Sequence, residues 1–262
     1  MSPAAIARAT IAPLLAQPTL RAEQVSQLVL GETAHVFAAE GEWRRVRTHL
    51  DGYEGWMNAG YAIEVGADEA EAWRSEAEGW SLGATVNLGE AVVRLPLRAR
   101  VMVDGDTVRL PDGRRGRLIA GEIPVGVTAI TAALNTPAER WAAEHFPGSP
   151  YQWGGVTPWG VDCSGLVQTT FAARGVLLPR DASQQVACGV DVPTDATRSG
   201  DLLFFRGDAT QRITHVAFAG EGDTLVHSTV SCGGVLTESW APGTRAAPLR
   251  ERLVAVRRLE PR

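Results

Sequence analysis

The chemistry this chain can offer rests on three residues, Cys163, His215 and His227. Cys163 follows Asp162 and opens the stretch SGLVQTTFAARG, which reads as an amphipathic helix capped by Asp162 and stopped by Gly175. A cysteine in the first helical turn faces the positive end of the helix dipole, which favours thiolate. Free backbone N–H groups at that end could also hold an oxyanion. Gly154, Gly155, Gly160 and Gly165 permit a sharp entry and close approach of a substrate. His215 lies in THVAFAG and His227 in DTLVHST, both predicted strands. A hairpin around the turn from Gly220 to Asp223 would set the two imidazoles on one face. One would take the thiol proton and the other would hold its tautomer, the nucleophile–base–orienter pattern of cysteine peptidases. The same residues also admit blander readings: a buried structural thiol and two satisfied strand histidines. A zinc site built from Cys163, His215, His227 and Cys188 is a third reading, but no pair has knuckle or HxxxH spacing. Cys188 and Cys232 lack the helix-start context and read as structural.

The elements that must position these residues fall into three textures. Residues 10–64 are short alternating runs, QVSQLVL, AHVFAAE, WRRVRT and EGWMNAGYAIEV, punctuated by Gly31, Gly41 and Asp51-Gly52. They predict a small antiparallel barrel or sandwich. Residues 67–80 are rich in Ala and Glu and read as a helical connector with Asp68 as N-cap. Strands resume over 81–131, with turns at Asp104-Gly105 and Asp112-Gly113. The third region is mixed. Thr136-Pro137-Ala138-Glu139 reads as a capping box with Pro at the first helical position, before the helix ERWAAEHF. The strands DLLFF, THVAFAG and DTLVHST follow, with turns at Gly207-Asp208 and at Gly220 to Asp223. Helices followed by antiparallel strands indicate an α+β domain.

Composition narrows the chemistry. All 25 Lys+Arg are Arg. Without lysine there is no Schiff-base enzyme, no P-loop and no kinase β3 lysine. Net charge is −5, with 45% hydrophobic and 21% charged residues. The mild acidity argues against a nucleic-acid partner, which needs a basic face. Arg94, Arg98, Arg100, Arg109, Arg114, Arg115 and Arg117 crowd one stretch, and they read as a solvated strand face. No apolar run approaches the ~20 residues of a membrane helix. The N-terminus lacks a basic n-region and is interrupted by Arg8 and Pro13, so it reads as structure rather than signal peptide. These features, with three widely spaced Cys, favour a cytoplasmic protein.

The segment YQWGGVTPWGVDCSGLVQTTFAARGVLLPRDASQQ, with SGDLLFF, ITHVAFAG and LVHS in order behind it, resembles the motifs of the NlpC/P60 cysteine peptidases over roughly residues 135–240. RAEQVSQLVLGE and GEWRRVRTHLDGYEGWM are similar to the first bacterial SH3 domain of the branch that recycles murein peptides, and 81–131 to its second. Ala217, where the family often has Gly, is the one departure. The resemblance implies a multidomain chain: two small all-β SH3-like barrels followed by an α+β papain-like peptidase domain. The boundaries would be 1–66 for the first SH3 domain, 67–80 for the connector, 81–133 for the second and 134–262 for the peptidase.

By the same resemblance, Cys163 is the nucleophile, His215 the general base and acid, and His227 the orienter. The substrate would be a short murein peptide such as L-Ala-γ-D-Glu-diaminopimelate, cut between γ-D-Glu and the diamino acid, with no cofactor and no metal. Asp181 would bind the substrate's α-ammonium, with Tyr53 and Glu23 from the first SH3 domain. Trp153 would form an apolar wall, and Ser164 would line the same subsite. An ammonium in a closed cleft needs such partners, which a blocked terminus would leave unpaired. Tyr53 and Trp56 also read as barrel core, Trp153 as loop packing and Asp181 as a helix N-cap. Two other functions fit the parts: an exported hydrolase of intact wall, and a wall-binding module with a decayed peptidase domain. The missing signal-peptide features and the Tyr53/Asp181 pair weigh against the first. The intact Cys163, His215 and His227 set weighs against the second.

Overall fold

The computed structural model describes residues 3–207 and 210–259. The chain forms two compact units, Met1–Ala129 and Ile130–Arg262.

In the first unit, among the described residues, seven strands make one antiparallel sheet: β1 (Pro3–Ala7), β2 (Ile11–Leu15), β3 (Gln24–Val29), β4 (Thr33–Glu40), β5 (Trp43–Thr48), β6 (Glu54–Asn58) and β7 (Ala62–Gly66), in the order β3-β2-β6-β5-β4-β1-β7. Strand β1 was not foreseen, because a five-residue Ala-rich run carries little alternation. It is nonetheless central, pairing with β4 and β7. Alternate residues of these strands fill the core, among them Leu14, Leu28, Val36, Val46 and Met57. Full burial of each large side chain stabilises by about 1.5–3 kcal/mol.

Helix α1 (Ala67–Glu76) follows. Gly66, not Asp68, is its N-cap; Asp68 and Glu69 lie inside the first turn, where they complement the dipole without capping. Trp73 of α1 is buried and donates from Nε1 to the Gly31 carbonyl at 2.8 Å. A second sheet has six strands among the described residues: β8 (Gly79–Leu82), β9 (Thr85–Asn87), β10 (Val92–Arg94), β11 (Leu97–Asp104), β12 (Thr107–Arg109) and β13 (Arg115–Ala120). It begins at Gly79, inside the stretch read as connector. The turns at Gly105 and Gly113 adopt the positive φ that the sequence signals demanded.

The two sheets of this unit meet through a buried ion pair. Arg98 Nε lies 2.6 Å from Glu32 Oε1, and its Nη2 donates to Oε2 at 3.0 Å. Both side chains are almost wholly buried. Arg98 holds φ +79, a left-handed conformation unusual outside glycine. At Gly31 a Cβ would stand 1.9 Å from the Arg100 carbonyl, so only glycine fits this approach. Much of the Arg-rich stretch is thereby accounted for. Arg98 is internal, Arg100 donates to the Ala77 carbonyl, and Arg114 and Arg117 pair with Asp112 and Asp106.

Helix α2 (Val127–Leu134) was not foreseen; its β-branched residues hide the helical period. Helix α3 (Ala138–His145) starts without the expected capping box. Pro137 is the N-cap, and Glu139 turns inward to accept from Ser199 Oγ at 2.7 Å. A two-strand hairpin, β14 (Val156–Thr157) and β15 (Gly160–Val161), leads into helix α4 (Cys163–Ala173), with α5 (Ala182–Gln185) beyond it. The unit's main sheet runs β16-β21-β17-β18-β19-β20 among the described residues: β16 (Val190–Asp191), β17 (Leu202–Arg206), β18 (Ile213–Ala219), β19 (Thr224–Thr229), β20 (Gly234–Ser239) and β21 (Leu253–Arg258). Part of the predicted turn at Gly207-Asp208 lies outside the described residues.

The unbroken apolar run LLFF fits a strand covered on both faces. Leu203 and Phe205 join Ala217, Leu225 and Trp240 in one cluster. Across the sheet, Phe218 stacks on Phe171 of α4 at 5.9 Å.

Candidate active site

Helix α4 begins where the local sequence requires. Asp162 is extended at the N-cap, and its Oδ1 accepts from the Gly165 N–H at 2.7 Å. Gly175, at φ +77, lies just past the helix end. Cys163 is therefore the first helical residue, and it is buried. The approach is tight: a Cβ on Gly165 would meet the Gly155 carbonyl at 2.1 Å.

Asp162 is the hub of this region. Its carboxylate also accepts from the Gly154 N–H at 2.8 Å and from Arg180, whose Nη1 and Nη2 reach Oδ1 and Oδ2 at 3.0 and 2.6 Å. Arg180 is 1% exposed. A buried charge of this kind persists only when paired and hydrogen-bonded. Arg180 stands beside Asp181 in the PRDAS segment, and sequence reasoning passed it over. Ser164 belongs to the same network. Its hydroxyl donates to Asp162 at 3.2 Å and accepts from Arg180 at 2.8 Å. The Nη1 of Arg180 thus bridges the Ser164 hydroxyl and the Asp162 carboxylate.

His227 comes from strand β19 and His215 from strand β18. The two strands pair at Phe218↔Val226 and Ala219↔Leu225. Toward the histidines the ladder stops, and the Val216 N–H, next to His215, reaches the Cys163 sulfur instead. The Ser164 N–H reaches the same sulfur. His215 Nε2 and His227 Nδ1 are 2.8 Å apart. His227 Nε2 is 2.7 Å from Glu238 Oε1 on β20. Arg245 completes the chain, donating from Nε to Glu238 Oε2 at 3.1 Å.

This order of acceptors assigns the tautomers. An ionised carboxylate only accepts, so His227 carries its proton on Nε2 and offers a lone pair at Nδ1. His215 then donates from Nε2 and keeps Nδ1 as its basic nitrogen. Glu238 and Arg245 were not singled out from sequence. In GVLTES the glutamate looks like any polar residue of an edge-ward strand. Only the register, with Leu225↔Glu238 and His227↔Leu236, sets it diagonally against His227.

Electrostatics correct one expectation. The helix start was expected to favour thiolate, but burial pushes the Cys163 thiol up to about 12. The Asp162 carboxylate adds to the rise, outweighing the two N–H contacts and Arg180. Burial, then the neighbouring His227, pulls His215 down to about 3, against an upward pull from Glu238. Burial and then Arg245 pull His227 down to about 4. The resting pair is thus a thiol and a neutral imidazole, suited to general-base transfer rather than a preformed ion pair. Tyr151 is raised by burial first and then by Cys163 and Asp162, which places its phenol in the same environment.

The remaining candidates are placed as follows. In the second unit, Trp153 is 58% exposed on the Gly-rich loop. Asp181 is half-buried at the N-cap position of α5, without a side-chain capping bond. In the first unit, Tyr53 is half-buried in the β5–β6 turn, its N–H held by Thr48 Oγ1 and Asp51 Oδ1 at 3.0 Å each. Trp56 is half-buried too, while Met57 beside it takes the core position. Glu23 is exposed. Cys188 is half-buried after α5 and Cys232 is exposed. No group of three or more His, Cys, Asp or Glu among the described residues is placed to hold a metal ion. No helix among them is long and apolar enough to cross a membrane.

A buried cysteine at a helix start, set against two adjacent strands that each carry one histidine of a hydrogen-bonded pair, defines a papain-like cysteine peptidase. Residues 148–250 match the NlpC/P60 family, and residues 14–60 match the bacterial dipeptidyl-peptidase SH3 domain. The chain is 32% identical over 226 residues to the γ-D-glutamyl-L-lysine dipeptidyl-peptidase of Bacillus subtilis (strain 168), spanning 78% of this chain and 71% of that one. It is 28% identical to dipeptidyl-peptidase 6 of Lysinibacillus sphaericus over 254 residues, 88% of each. The crystal structure of an NlpC/P60 family protein from Bacillus cereus ATCC 10987 shares the fold, with a TM-score of 0.78 over 97% of this chain and 99% of that one at 21% identity. The chain belongs to the NlpC/P60 family, a cysteine peptidase that also carries a bacterial SH3 domain.

Proposed function

We propose that this peptidase hydrolyses the γ-D-Glu–diamino acid bond of short murein peptides with a free N-terminal L-Ala, in the cytoplasmic recycling of cell-wall peptides. The observation that carries the reading is the match to proteins named as dipeptidyl-peptidases along both the SH3 and the peptidase parts of the chain. Cys163 is the nucleophile, His215 the general base and acid, and His227 the orienter. Nδ1 of His215 takes the thiol proton as the sulfur attacks the γ-carbonyl. The C–N bond breaks, the proton passes to the leaving nitrogen, and water releases L-Ala-D-Glu from the thioester. Neutral His215 and un-ionised Cys163 suit this order of events.

Asp181 and Tyr53 bind the α-ammonium in this reading, Trp153 walls the subsite, and the second sheet of the first unit is a second SH3 barrel. The test is direct. Free L-Ala-γ-D-Glu-diamino acid should yield L-Ala-D-Glu, while the N-acetylated peptide should resist. Equal rates on both would remove the requirement for a free amine. Tyr53→Phe should lower kcat/KM on the free peptide more than it lowers Tm, and an unchanged kcat/KM would take Tyr53 out of the site.

A further inference from the structure

Behind the histidine pair, Arg245 grips both oxygens of Glu238, with Nη2 on Oε1 and Nε on Oε2 at 3.1 Å. This is the planar fork that meets a carboxylate with two charge-assisted bonds. The remaining nitrogen, Nη1, donates to Ser231 Oγ at 2.7 Å, and Ser231 Oγ lies 3.0 Å from Thr229 Oγ1. Thr229 ends β19, the strand of His227, and Ser231 sits in the turn Val230–Cys232 that follows it. Arg245 therefore braces the glutamate of β20 against the strand that carries His227. Its backbone is fixed on both sides. Thr244 Oγ1 donates to the Ser239 and Ala241 carbonyls at 2.9 and 2.8 Å, and Ala246 is buried.

The reaction creates a charge next to this brace. When Nδ1 of His215 takes the thiol proton, that ring becomes a cation. Its Nε2–H already faces His227 Nδ1 at 2.8 Å. One transfer would carry the charge a ring further: the His215 Nε2–H bond breaks and a His227 Nδ1–H bond forms. On His227 the cation would sit against the Glu238 carboxylate, which favours it there. His215 would be left neutral, a poor acid for the leaving nitrogen. Resting on the assignment of His215 as base and acid, we propose that Arg245 is a positioning residue for catalysis. By offsetting the charge of Glu238, it lets that carboxylate fix the His227 tautomer without drawing the catalytic proton away from His215. The other charged or titratable groups around the pair are Cys163 on α4, with Asp162 beside it, and Arg206 and Arg252, which line the cavity bordering both rings. Glu238 pulls His215 upward, whereas Arg245 pulls His227 down along with burial, as an opposed pair of charges should.

The experiment follows kcat/KM on L-Ala-γ-D-Glu-diamino acid against pH for the full chain, for Arg245→Met, for Arg245→Lys, and for Arg245→Met combined with Glu238→Leu. Titration of the imidazoles by ¹⁵N spectra accompanies each. Arg245→Met should move the acid limb, and the histidine midpoints, up by about 1–3 pH units, the shift that an unbalanced neighbouring charge produces. Arg245→Lys keeps the charge without the fork and should hold most of the wild-type position. In the double variant the carboxylate is gone as well, so the limb should return to the wild-type position while the rate stays low. A limb that Arg245→Met leaves unmoved, or a shift that survives in the double variant, overturns the proposal. The Arg245 side chain is 43% exposed, so the fold should survive its replacement. A thermal melt checks this, and Arg245→Gln carries the same prediction if Arg245→Met does not fold. Absence of L-Ala-D-Glu release by the wild type would overturn the endopeptidase reading instead, and the ¹⁵N titration, which needs no substrate, would still decide the role of Arg245.

Discussion

Replacing Glu238 tests whether the histidine chain is ordered from its far end. Glu238→Leu keeps much of the side chain's bulk and removes the acceptor for His227 Nε2–H. That bond, 2.7 Å long and made to an ionised group, is of the kind that contributes about 1.5–3 kcal/mol. If it fixes the tautomer, its loss lets the proton of His227 move to Nδ1, which would then face the Nε2–H of His215 donor to donor. His215 would turn or change tautomer, and its basic Nδ1 would be lost to the reaction. At about 1.36 kcal/mol per decade of rate, kcat should fall about 10- to 150-fold. KM should change little, since Glu238 lies behind the histidines. Steady-state kinetics gives the split, and ¹⁵N spectra of the imidazoles report the tautomers. Glu238→Gln sharpens the test, because its amide can turn its NH2 toward His227 and impose the wrong tautomer. A kcat for Glu238→Leu within twofold of wild type, with unchanged imidazole spectra, would refute this ordering role. An equal loss in stability and kcat, again with unchanged spectra, would reduce Glu238 to packing.

Cys163→Ala should abolish turnover while circular dichroism and Tm stay near wild type, and residual turnover would exclude the sulfur as nucleophile. The depressed histidines, at about 3 and 4, predict that kcat/KM shows no acid limb near the ordinary imidazole value of about 6.5 and falls only at lower pH. The same shifts set a stability profile. The unfolded chain binds more protons than the folded one below about 6.5, so this stability is fully present above that pH. It should be lost progressively as pH falls from about 6.5 and be gone below the folded values of about 4 and 3, so the denaturant midpoint at pH 4.5 should lie below that at pH 7. Arg180→Met should destabilise by about 3–5 kcal/mol, because it leaves the Asp162 charge buried without its partner; urea titration measures it, and a loss under 1 kcal/mol would show that the pair is dispensable.

Where the chemistry rests on near neighbours, the sequence was readable. The Asp162 cap, the Cys163 helix start and Gly175 beyond its end are all set within one short segment. The histidine pair was legible because a single turn, from Gly220 to Asp223, sets the spacing of the two strands. What depended on distant register was hidden. Glu238 meets His227 only through the β19–β20 pairing, and Arg180 meets Asp162 across 18 positions of chain. The thiolate expectation failed for another reason. Position at a helix start is a local property, but burial is a property of the whole unit, and burial won. The same holds for Glu139, which the local pattern made a cap and the fold turned inward to Ser199.

The buried Glu32–Arg98 pair bears on how this architecture can be inherited. Each sheet of the first unit holds one half of an ion pair that neither can leave unpaired without a cost of several kcal/mol. The Gly31 approach to Arg100 adds a fit of shape to the fit of charge. The two β-modules are therefore not freely exchangeable cassettes. A recombination event that transplanted residues 3–66 alone would carry an orphaned carboxylate into its new host. Change at position 32 would have to be matched at position 98, so the pair should drift together or not at all, and the modules should travel through evolution as one heritable block.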